Sequence, residues 1–126
     1  MPNTPPPSPS PWRCFDVGKA VRRIVEESPW RVVLIGSSSW SHASLTKKND
    51  YMYPDVEEDR QRYEELREGR QGLWRDLDPK QIRESGQNEL LNWVCLAGAT
   101  EGQVPEVLAY SETYIFNSSK AVVLFR

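Results

Sequence analysis

Histidine is the scarcest reactive residue in this chain, with His42 alone among 126 residues. A metal centre built on two or three imidazoles therefore cannot be completed from this sequence. Cysteine is nearly as rare. Cys14 and Cys95 stand far apart and form no C-x-x-C pair, so two buried thiols in a reducing compartment are expected rather than a disulfide or a zinc site. There is no excess of positive charge either. Sixteen Lys and Arg face eighteen Asp and Glu, and no nucleic-acid partner is expected, because binding phosphate backbones takes concentrated positive charge. No apolar run approaches the roughly 20 residues of a membrane-spanning helix, and the first residues show neither a basic n-region nor an apolar h-region. These absences lead to the expectation of a soluble, cytoplasmic protein with no membrane contact.

What is present suits one globular domain. A chain of this length buries roughly two thirds of its unfolded surface, and 38% hydrophobic residues with five tryptophans supply material for a core. Six prolines fall in residues 2–11. Such a segment favours extended geometry and cannot nucleate a helix, so residues 1–10 are expected to be a Pro-rich lead-in and residues 11–126 a single α/β domain.

Ser10-Pro11 reads as a helix start, with Ser10 as cap and Pro11 at the first position. Val17, Ala20, Val21, Ile24 and Val25 then recur at three- and four-residue steps and predict an apolar stripe on a helix ending near Ser28-Pro29. Arg31-Val-Val-Leu-Ile35 is continuous, apolar and β-branched, which predicts a central strand buried on both faces. Residues 41–54 show no sustained period and read as a long loop. Asp55 caps a charged helix to about Glu68, with Val56, Tyr63 and Leu66 as a thin apolar edge; its charges are expected on a solvated face. Asp78-Pro79 starts a short helix to about Glu84. Gly86-Gln-Asn88 opens a last helix, lined by Leu90, Leu91, Val94 and Ala97, which Gly98 and Gly102 end. Glu106 to Phe116 and Lys120 to Phe125 predict a hairpin, with Asn117 or Ser118 near the left-handed region. The expected fold class is α/β, with about three strands and three to four helices.

Two constellations carry possible chemistry. In Gly36-Ser-Ser-Ser-Trp-Ser-His42, small residues at the carboxyl end of a buried strand let a ligand approach the backbone. Ser39, Trp40 and Ser41 are the candidate substrate-binding residues, and His42, whose imidazole titrates near pH 6.5, is the candidate acid/base. The alternative is a structural histidine bonded to its own loop. A hydrolase elbow of the form G-x-S-x-G is excluded because Trp40 takes the last glycine's place. In Ser85-Gly-Gln-Asn-Glu-Leu-Leu-Asn-Trp93, Glu89 falls in a helix first turn, where free N–H groups favour the carboxylate that a hard metal takes. An isolated acid there is more commonly a helix stabiliser. Tyr51-Met-Tyr-Pro54 is either an aromatic pocket wall or the seal of a core edge.

Taken together, these segments resemble the C-terminal half of the class III extradiol ring-cleavage dioxygenases, the family of protocatechuate 4,5-dioxygenase catalytic subunits. The likeness covers nearly the whole chain. It rests on Arg31 to His42, Tyr53-Pro-Asp-Val56, Ser85 to Trp93, Leu96-Ala-Gly-Ala99 and Pro105 to Tyr110. The resemblance implies opening of catechol-type aromatic diols with O₂ at a non-haem Fe(II). It matches Glu89 to the family's carboxylate iron ligand and His42 to its acid/base histidine. The family's two iron-binding histidines belong to its N-terminal half, which has no counterpart here, so Fe(II) is not expected to bind tightly to this chain alone. An N-terminal half or another subunit is the implied partner. The alternatives are a non-catalytic remnant or interaction module of the same fold, and an unrelated small α/β binding domain. Baring a central strand also leads to an expectation of self-association.

Overall fold

The computed structural model describes residues 8–114 and 117–126. Most of the Pro-rich lead-in, and the Ile115-Phe116 end of the expected first hairpin strand, lie outside the described residues. Helix α1 spans Pro11–Glu27, α2 Val56–Arg67, α3 Pro79–Glu84 and α4 Leu90–Ala99, followed by strands β1, Glu106–Ser111, and β2, Lys120–Leu124. Short 3₁₀ turns at Ala43–Leu45, Lys47–Asn49 and Gln71–Asp76 fill the connections. The α/β class is as expected.

The caps follow the sequence in two cases of three. Asp55 accepts a hydrogen bond from the Glu58 amide, and Asp78 accepts one from the Lys80 amide, so each satisfies a free N–H of a first turn. Ser10 makes no side-chain cap bond; Pro11 starts α1, and the Cys14 amide bonds the Ser10 carbonyl. β1 and β2 pair antiparallel from Glu106↔Leu124 to Ser111↔Lys120, with an irregularity between Val107 and Ala109. Asn117 adopts φ 65° ahead of β2, in the left-handed region as expected.

The core forms where α4 lies on α1 and on the 3₁₀ turn at Trp74. Trp40, Trp74, Phe15, Leu66, Leu90 and Val94 are fully or almost fully buried in it. Trp40 stands edge-on to Trp93 and Trp74, with ring centroids 5.6 and 6.4 Å away, and Tyr110 of β1 stacks flat on Tyr63 of α2 at 4.0 Å. Edge-to-face and offset pairs of this kind add about 0.5–1.5 kcal/mol each beyond the area they bury. Gly98 does not end α4 but lies within it, because a Cβ there would meet the Phe15 carbonyl oxygen at 2.0 Å. Small size here admits a neighbouring backbone.

Three expectations are corrected. Arg31–Ile35 is extended but not a strand: among the described residues no backbone hydrogen bond reaches residues 31–37, and Val33 and Ile35 are 84% and 79% exposed. Among the described residues the sheet consists of β1 and β2, and this segment pairs with neither. α1 buries Cys14, Phe15 and Gly18 most deeply, since the glycine contact draws that face onto α4; of the expected stripe, Ala20, Val21 and Val25 are half-buried and Val17 and Ile24 are exposed. The charges of α2 are not all solvated. Asp59, Arg62 and Glu65 are buried, with Glu65 accepting a 2.7 Å hydrogen bond from Trp74 Nε1 and pairing with Arg62.

Candidate active site

The Gly36–His42 segment leads from the exposed extended run into the core, and Trp40 anchors it there at 0% exposure. Either side of that anchor the backbone is tied to the loop before α4. The Ser38 hydroxyl donates to the Glu89 carbonyl at 2.7 Å, and Trp93 Nε1 donates to the Ser38 carbonyl at 3.0 Å. The His42 amide donates to the Gly86 carbonyl at 3.1 Å, and Thr46 Oγ1 donates to the His42 carbonyl at 2.6 Å. Gly86 adopts φ 64°, and a Cβ on it would stand 2.7 Å from Thr46 Oγ1 and 2.8 Å from the His42 carbonyl oxygen, so only glycine closes this turn without strain. From the other side the Ala43 amide bonds the Asn117 carbonyl, and His42 bridges Ser118.

The result is a contact between the two candidate reactive groups across 47 positions: His42 Nε2 lies 3.0 Å from Glu89 Oε2. An ionised carboxylate only accepts, so in this contact Nε2 carries the hydrogen. The same carboxylate oxygen accepts the Ser39 amide at 3.1 Å. Both side chains are about a quarter exposed, at 25% and 26%. The pair can therefore reach a ligand while remaining fixed.

Beneath it lies a residue that sequence reasoning missed. Asp59, fully buried on α2, accepts the Ser41 amide at 3.1 Å, the Ser41 hydroxyl at 2.5 Å and Gln87 Nε2 at 2.9 Å. One carboxylate thus joins the histidine-bearing turn to the glutamate-bearing loop. Burial pushes the Asp59 carboxyl up, against the lowering effect of hydrogen bonds from Ser41, Gln87 and Ser119. A signal for it was present, since Asp59 falls on the Val56, Tyr63, Leu66 edge at three- and four-residue steps. Of the three candidate substrate contacts, Ser39 stays half-buried beside Glu89, whereas Trp40 and Ser41 point into the interior and brace the turn. Tyr51, Met52 and Tyr53 are exposed rather than sealing a core edge.

The family model described as the catalytic LigB subunit of aromatic ring-opening dioxygenase matches residues 3–123. The chain belongs to this LigB family. No curated protein matches the chain. The LigB match spans both the His42 turn and the Glu89 loop.

The resemblance brings an iron with it, and the donor set of this LigB chain tests the fit. A ferrous facial triad takes two imidazoles and a carboxylate. Here the sequence has one histidine, and among the described residues no three His, Cys, Asp or Glu side chains converge. The Glu89 carboxylate is turned to Ser39 and His42. These residues do not fit a metal on their own.

Proposed function

We propose that the chain is the His/Glu-bearing C-terminal portion of a LigB-type extradiol dioxygenase, protocatechuate 4,5-type in kind, and is inactive until two further imidazoles join it. The observation that carries the reading is the 3.0 Å His42–Glu89 contact within a family match covering residues 3–123. In this reading the substrates are an aromatic diol and O₂, His42 moves a proton at a ring hydroxyl, and Ser39 holds the carboxylate in line through its amide. Glu89 is the single ligand this chain would contribute to an Fe(II) centre. A histidine-bearing α/β half or second subunit provides the rest, and a cytoplasmic setting accords with the two free cysteines. No described helix is long and apolar enough to cross a membrane.

The test is reconstitution. The purified chain is expected neither to retain Fe(II) through gel filtration nor to consume O₂ with protocatechuate. Co-expression with a histidine-bearing α/β half read from the adjoining coding DNA is expected to restore both, and Glu89→Ala to abolish both. Tight iron and ring opening by the chain alone overturn the reading. A second reading, a non-catalytic interaction module, draws on the open groove of about 750 Å³ between α1, residues 32–38, α4 and β2. It predicts a stable complex with the same half in which Glu89→Ala changes nothing.

A further inference from the structure

The thiols of Cys14 and Cys95 take no part in the chemistry above. Both sit on the α1–α4 crossing, Cys14 buried beside Phe15 and Cys95 half-buried on α4. The two helices approach unusually closely there. A Cβ on Gly18 would stand 1.8 Å from the Cys95 carbonyl oxygen, as one on Gly98 would stand 2.0 Å from that of Phe15. Helices crossing on ordinary side chains keep their axes roughly 8–10 Å apart, and a disulfide needs Cα atoms within roughly 7 Å. Glycine on both sides of the crossing removes that obstacle. The two thiols lie close enough across the crossing that each shifts the ionisation of the other, and both are free cysteines.

Their surroundings divide the roles. The Cys14 thiol, pushed up by the neighbouring Cys95 and by burial, keeps its proton. Cys95, lowered to about 7 by its neighbour Cys14, carries much more thiolate near neutral pH than an ordinary thiol and is the more exposed of the two. A nucleophilic sulfur with a resolving thiol in contact is the arrangement that thiol–disulfide exchange uses.

We propose that Cys14 and Cys95 are a reversible dithiol–disulfide pair that staples α1 to α4, oxidised by a low-molecular-weight disulfide such as oxidised glutathione. The Cys95 thiolate attacks one sulfur of that disulfide, the S–S bond breaks, and one glutathione thiolate leaves. Cys14 then gives up its proton and attacks the Cys95 sulfur of the mixed disulfide, releasing the second glutathione. Two protein thiols are oxidised and one glutathione disulfide is reduced to two thiols. The loop so closed contains both His42 and Glu89, so the staple locks the framework of the site without touching it.

Intact mass after acid quenching, on the full chain in glutathione buffers, tests this. The wild type is expected to lose two hydrogens and carry no glutathione, and to regain them with dithiothreitol. Cys14→Ser is expected to keep one glutathionyl group on Cys95, and Cys95→Ser to take none over the same exposure. The folded wild type should close the bond at a glutathione disulfide-to-thiol ratio at least about tenfold lower than the same chain in urea. A wild type that ends as a lasting mono-adduct, that does not react, or that closes no more readily folded than in urea overturns the proposal. The last comparison needs no variant and holds whether or not the serine variants fold.

Discussion

The two faces of α1 have opposite fates. On one, Cys14, Phe15 and Gly18 press against α4 so tightly that backbone meets backbone. On the other, Val17 and Ile24 stand open, as do Val33 and Ile35 of the extended run. Hydrophobicity does not separate them, for the open side carries branched apolar residues too. What separates them is whether the chain supplies a partner. The closed face meets α4 and carries the frame of the His42–Glu89 pair; the open face and the extended run have nothing described to cover them. A continuous apolar strand is a sound reading of Arg31–Ile35, yet a strand also needs neighbours, and a sheet edge left bare is a template for other chains.

The largest effect should come from the closed side. Trp40→Ala empties the space between Trp74, Trp93 and Tyr110 and is expected to cost about 3–5 kcal/mol in urea unfolding, while Val33→Ser, a similarly apolar loss on the open side, stays within about 0.5 kcal/mol. Comparable costs at the two positions would mean that the extended run is covered in solution, and the contrast between the faces would fall.

Next comes the carboxylate that joins the site's two halves. Asp59→Ala leaves buried donors of Ser41 and Gln87 without an acceptor and should cost about 2–3 kcal/mol. Asp59→Asn adds a sign test. Burial holds the folded-state value above its ordinary range, so the fold binds this proton more tightly than the unfolded chain does. The stability drawn from Asp59 is then full below the ordinary aspartate range and declines as pH rises through the raised value. Asparagine does not titrate, and the gap between wild type and variant should therefore narrow from about pH 4 to about pH 7 in urea midpoints. A gap that widens would show that the fold favours the ionised carboxylate.

The same contrast explains what the sequence revealed. Helices α2 to α4 and the hairpin were legible because their signals are local: Asp55 and Asp78 cap within three residues, and β1 and β2 are neighbours in the chain. His42 and Glu89 were each visible as chemistry-bearing types, but their 3.0 Å contact depends on Gly86, Thr46 and Asp59, drawn from separate segments. The burial of Asp59, Arg62 and Glu65 was hidden because a helix so rich in charge reads as solvated unless its partners are known. Which side of α1 faces inward was hidden for a related reason. An apolar stripe of five outweighs one cysteine, one phenylalanine and one glycine in any local count, yet the glycine-to-backbone fit with α4 buries those three and leaves Val17 and Ile24 exposed.

A smaller effect concerns the open side alone. If bare apolar surface drives the expected self-association, Val33→Lys with Ile35→Lys should shift light scattering of the purified chain toward the monomer mass, with unfolding free energy changed by less than about 0.5 kcal/mol. A wild type that is already a clean monomer removes the basis for this effect.

Glu89→Gln should give the smallest change in stability and separates framework from chemistry most sharply. The amide keeps the volume and can still accept the Ser39 N–H; what it loses is the charge facing His42. Because both partners are about a quarter exposed, that loss should cost under about 1 kcal/mol in urea unfolding. The reconstituted complex should respond quite differently, with iron retention and O₂ uptake both lost, since an amide is a poor stand-in for an anionic oxygen ligand. His42→Gln should leave iron in place and lower turnover alone. If Glu89→Gln instead destabilised the fold as much as Asp59→Ala, the pair would belong to the framework, and the division between a braced scaffold and a reactive pair mounted on it would not stand.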